Sequence, residues 1–113
     1  MNKFGVVNQI LQESVISAEN KIINEEIKVK ALSFIKLRDI LYATGQIITE
    51  NTSEQVYIAT IKSGFLKLAS VILAIQLQED SLRIAAYSRG LINRKKVSKG
   101  AIDELRARIK QYT

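Results

Sequence analysis

The sequence predicts an all-α protein, a helical bundle of four to five helices with a central, very apolar helix over about residues 53–78 and a basic helix at its C-terminal end. Three observations support this. Apolar residues recur at spacings of three and four along most of the chain, sustained alternation of apolar and polar residues is missing, and there is no proline to stop a helix by ring sterics. With 113 residues, the chain suits a single domain over 1–113, with one core. Hydrophobic residues make up 47% and aromatics only 6%, so that core is aliphatic.

Taken in order, Val7, Leu11, Val15, Ala18 and Ile22 form a first stripe, which predicts a helix near 4–23. Asn24 followed by Glu25 and Glu26 reads as a cap with acids in the first turn. A second helix follows on Ile27, Ala31, Phe34 and Leu41, widened by Leu32, Ile35 and Ile40, and Gly45 stops it. The alternative is one long bent rod through residue 24. Residues 46–51 are expected to be a connection, and Thr52 with Gln55 reads as a capping box.

The third helix carries the strongest signal. Ile58, Ile61, Phe65, Leu68, Ile72 and Ile75 repeat at three, four, three, four and three, a heptad-like seam and the expected self-association interface. Gln76 to Asp80 is either a turn or a polar stretch of one continuous helix; after it Leu82 to Tyr87 resume a helix that Gly90 ends, Leu91 to Val97 form a linker, and Ser98 caps a last helix. That helix carries a stripe of Ile102, Leu105, Ile109 and Tyr112, with Gly100 weakening its first turn.

Absent residue types exclude several chemistries. With no Cys and no His, thiol nucleophiles, disulfides, imidazole catalysis and the usual zinc ligand sets are unavailable. The acids come as neighbours, Glu25 with Glu26, Glu79 with Asp80 and Asp103 with Glu104; neighbours on a helix diverge by about 100° and cannot converge on a metal. Glycines at 5, 45, 64, 90 and 100 match no phosphate-binding or dinucleotide pattern. Tyr42, Tyr57, Tyr87 and Tyr112 read as rings at the edge of the core. The expectation is a protein that is not an enzyme and has no cofactor, no metal and no membrane span. Met1 to Gln9 contains no leader-like apolar stretch, which points to the cytoplasm.

Charge supplies the functional signal. Met1 to Asp80 carries eight Lys/Arg against nine Asp/Glu, whereas the basic C-terminal third, 81–113, carries nine against two. Arg89, Arg94, Lys95, Lys96 and Lys99 fall within eleven residues, followed by Arg106, Arg108 and Lys110. Such a cluster suits phosphates, which bind by charge and counterion release. Part of it has a simpler reading, since Glu104 with Arg108 and Asp103 with Arg106 have salt-bridge spacing.

The thirteen residues Val97-Ser-Lys-Gly-Ala-Ile-Asp-Glu-Leu-Arg-Ala-Arg-Ile109 resemble the recognition helix of winged helix-turn-helix repressors. The resemblance implies groove and phosphate contacts from Ser98, Lys99 and Arg106. The expected function is therefore that of a small helical binding protein whose basic third engages an anionic partner, nucleic acid first, as a regulatory or nucleoprotein-complex subunit and as a homo-oligomer or part of a larger complex. The alternative is a protein-interaction module, such as a scaffold subunit, chaperone or immunity-type protein, acting through an apolar helix face.

Overall fold

The computed structural model describes residues 3–14, 22–63, 67, 69–88 and 94–112. It overturns the all-α expectation: among the described residues, five antiparallel strands form one sheet, and three helices cover it. The order is α1 (Gly5–Ser14), β1 (Ile23–Lys28), α2 (Phe34–Thr44), β2 (Gln46–Asn51), β3 (Val56–Ser63), β4 (Ala69–Leu77), β5 (Ser81–Ser88) and α3 (Arg94–Tyr112). Strands β2 to β5 form a meander, and β1 returns beside β5, giving the order β1-β5-β4-β3-β2. The edge strands β1 and β2 are joined by α2, which crosses the sheet.

The physical reason lies in β3 and β4, where a single apolar helix was expected. Their residues are rich in β-branched Ile, Val and Thr, whose stiff side chains favour the pleated backbone. The two strands pair over their full length, from Val56 with Gln76 to Ser63 with Ala69. Pleating then splits the supposed seam. Tyr57, Ala59, Ile61, Val71, Leu73 and Ile75 enter the core under α2 and α3, while Val56, Ile58, Ile72 and Ala74 enter a second core under α1. Ile58, Ile61, Ile72 and Ile75 are thus buried on opposite sheet faces and form no continuous exposed seam. Phe65 and Leu68 lie outside the described residues, as does Gly64.

The other departures have similar causes. Asn24, Glu25 and Glu26 belong to β1, paired with β5, so the second helix is confined to Phe34–Thr44. Ser33 caps it by accepting from the Lys36 amide at 3.0 Å, and Gly45 ends it as expected, its amide donating to the Leu41 carbonyl at 2.8 Å. Residues 46–51 are strand β2. Thr52 and Gln55 sit in the β2–β3 turn, where Gln55 has φ 57° and Asn51 Oδ1 accepts from the Glu54 amide at 3.0 Å. The expected helix at 82–89 is strand β5. The expected helix at 4–23 is helical over Gly5–Ser14; residues 15–21 lie outside the described residues, and its expected last residue, Ile23, begins β1 instead.

The larger core joins sheet, α2 and α3 through Leu37, Ile40, Leu41, Ala101, Ile102, Leu105 and Ile109. Val7 and Leu11, one turn apart on α1, seal the other face. Tyr57 anchors α2: its ring stacks on Phe34 at 4.1 Å, and its hydroxyl donates to the Phe34 carbonyl at 2.7 Å. No described helix is long and apolar enough to cross a membrane.

Candidate nucleic-acid interface

The last helix is longer than its stripe suggests. It begins at Arg94, so Arg94, Lys95 and Lys96, expected in a linker, form its first turn, and no acid accompanies them. Cations there oppose the helix dipole, at a cost of about 0.3–1 kcal/mol each where exposed. Lys95 and Lys96 are exposed and, among the described residues, belong to no ion pair. Arg94 lies over the Tyr87 ring at 5.8 Å.

Packing fixes this turn against the sheet. Ser63 at the end of β3 donates to the Val97 carbonyl at 2.8 Å. Gly100 makes that approach possible, because a Cβ there would lie 2.6 Å from Ser63 Oγ; the residue that weakens the helix in isolation permits its docking. Lys67, in the β3–β4 connection, donates to Glu104 at 3.2 Å. One end of the sheet thus carries the first turn of α3, through Ser63 and Val97, and beside it Lys67 and the exposed Lys62, which line a cleft of about 260 Å³ together with Gln46, Thr60, Ser70 and the α3 acid Glu104. Sequence reading missed Lys62 and Lys67, because each is an isolated lysine until the hairpin carries it to α3.

The remaining cations divide into two groups. Lys99 and Arg106 are held by Glu25 on β1: Lys99 Nζ donates to Oε2 at 2.9 Å and Arg106 Nη2 to Oε1 at 2.7 Å. Asp103 accepts from both, at 3.4 Å and 2.6 Å. Burial pushes the Glu25 carboxyl up, but the hydrogen bonds from Arg106 and Lys99 outweigh it and hold the group below its ordinary range. The Glu25 hydrogen bond in turn raises Lys99 and Arg106. These two cations serve the fold first, and Ser98, the third contact implied by the repressor resemblance, is fully buried on the sheet-facing side of α3. Lys110 is exposed and Arg108 half-exposed, and neither is in an ion pair with a described acid. Arg89 lies outside the described residues, and so do residues 91–93 of the expected linker.

Among the described residues, no group of three His, Cys, Asp or Glu is placed to hold a metal ion. Comparison with protein families, curated proteins and solved structures finds no match for this chain.

Proposed function

We propose that this chain is a non-enzymatic binding protein that grips the phosphate backbone of nucleic acid with the sheet end built from Arg94, Lys95, Lys96, Lys67 and Lys62. The observation that carries the reading is the first turn of α3. Three consecutive cations stand where the helix dipole disfavours them, and the two most exposed are unpaired by described acids. Lys95 and Lys96 form no ion pair with a described residue that would offset their placement, whereas a bound polyanion offsets both the dipole penalty and the mutual repulsion. Contacts of this kind read charge rather than sequence. The absence of His and Cys from the chain weighs on the side of binding rather than catalysis, since the commonest proton-transfer and thiol groups are not available.

Fluorescence anisotropy with a labelled duplex and a labelled single strand, titrated at several salt concentrations, tests this. The expected result is binding at low salt that weakens steeply as salt rises. A Lys95→Glu/Lys96→Glu variant should bind at least about tenfold more weakly, with a salt slope shallower by about two. No binding by the wild type at low salt, or a variant that binds equally well, would overturn the proposal.

A further inference from the structure

On the outward side of α2, Ile35 and Tyr42 are each 64% exposed, more than any other exposed large hydrophobic residue among those described. They lie seven residues apart, two turns along one ridge, with Arg38 and Asp39 between them. The inward side, Leu37, Ile40 and Leu41, is fully buried. Ile48, 54% exposed, sits on the neighbouring edge strand β2.

We propose that this ridge pairs with α2 of a second copy of the chain in an antiparallel, two-fold symmetric contact. The pattern Ile35, Arg38, Asp39, Tyr42 is self-complementary. An axis midway between Arg38 and Asp39 carries Ile35 onto Tyr42 of the other copy, and Arg38 onto its Asp39, on both sides of the axis. Apolar groups meet apolar groups, and each charge meets its opposite. Asp39 has no ion-pair partner among the described residues, while Arg38 reaches Glu50 at 3.6 Å and is 38% exposed, leaving its guanidinium accessible.

Electrostatics favours this face over others. From Phe34 to Asn51 the chain carries two cations, Lys36 and Arg38, and two acids, Asp39 and Glu50. This face is locally neutral in a chain of net charge +6, so two copies approach here without the repulsion that opposes contact through α3. The opposite edge, β1, is guarded: Lys99 and Arg106 reach across Glu25, and Lys3 across Glu26 at 3.0 Å. The pairing is independent of nucleic-acid binding and leaves the basic first turn of α3 outside the contact in both copies.

Sedimentation velocity over a concentration range tests the assembly, and engineered cysteines test its register, since the chain has none of its own. The wild type should sediment as a dimer at high concentration. Ile35→Cys/Tyr42→Cys should cross-link into covalent dimers on oxidation. Either cysteine alone should not, because like positions stand about 10 Å apart along antiparallel axes, beyond disulfide reach. Arg38→Asp or Asp39→Arg alone should weaken dimerisation at least tenfold, and the double swap should restore it to within about threefold. Far-UV circular dichroism confirms that each variant is folded. A wild type that stays monomeric at high concentration overturns the proposal, as do equal cross-linking by the single-cysteine variants and a double swap that fails to restore the dimer.

Discussion

The Glu25 carboxylate on edge strand β1 and the Arg106 guanidinium on α3, 81 residues apart in sequence, meet at 2.7 Å. Their contact closes the sheet edge against the last helix, and Lys99 and Asp103 extend it on the exposed side. Glu25→Gln should therefore destabilise the fold by about 1 kcal/mol once solvent screening of this half-exposed network is allowed for. The effect should depend on pH. Because the folded carboxyl titrates below its ordinary value of 4.5, the unfolded chain binds the proton first as pH falls. The contribution is full above about 4.5 and is lost as pH drops through the lowered folded value. Urea midpoints for wild type and Glu25→Gln should converge in acid and separate at neutral pH.

Tyr57 gives a complementary signature in alkali. Burial pushes its phenol up to about 12, against an ordinary value of 10.0, so above pH 10 the unfolded chain ionises while the folded one does not. Stability should fall as pH rises from 10 towards 12, and Tyr57→Phe should flatten that fall. At neutral pH the same substitution removes the hydroxyl that donates to the Phe34 carbonyl, costing about 1 kcal/mol. Chemical denaturation at pH 7 and at pH 11 separates the two effects.

Both networks depend on distant partners, and this explains which parts of the molecule were legible in sequence. The α3 stripe, Ile102, Leu105 and Ile109, and the Gly45 stop were readable because each is a local pattern. Strands β3 and β4 were not. A sheet covered on both faces has no polar side, so Val56 to Ala59 and Val71 to Ile75 are apolar without alternation, and Ile58 with Ile61 and Ile72 with Ile75 fall at a spacing of three, as a helix would place them. The weight of β-branched residues was the better signal. The basic run was legible as a cluster, but its division was not. That Lys99 and Arg106 face Glu25 while Lys95 and Lys96 face solvent follows from which side of α3 meets β1.

That division predicts opposite responses from neighbouring cations. Lys95→Glu/Lys96→Glu should leave stability unchanged or slightly raised, since acids in a first turn align with the dipole, while nucleic-acid affinity falls at low salt. Arg106→Ala should lower stability by about 1 kcal/mol by stranding the half-buried Glu25, with a smaller loss of affinity under conditions where the variant is fully folded. Thermal melts paired with anisotropy titrations check both. Equal losses of affinity from the two variants would show that the exposed first turn has no special role.

The contact between Gly100 and Ser63 is testable as a double-mutant cycle. Alanine is a better helix former than glycine by about 1 kcal/mol, so Gly100→Ala would stabilise an isolated helix. Here its methyl group would meet Ser63 Oγ, 2.6 Å from the position a Cβ would take. The hydroxyl must then rotate away from the Val97 carbonyl, to which it donates at 2.8 Å. Losing that hydrogen bond in a buried setting costs about 1 kcal/mol and cancels the gain in propensity, so the single variant should be neutral or mildly destabilised. With Ser63→Ala in place the obstruction is gone, because the nearest remaining atom, the residue-63 Cβ, lies 4.0 Å away. In that background Gly100→Ala should stabilise by about 1 kcal/mol, giving a coupling of similar size between the two sites. Urea denaturation of the four proteins measures it. Strict additivity would mean that Ser63 does not dictate the glycine, and that α3 docks on the end of β3 less closely than the 2.8 Å hydrogen bond requires.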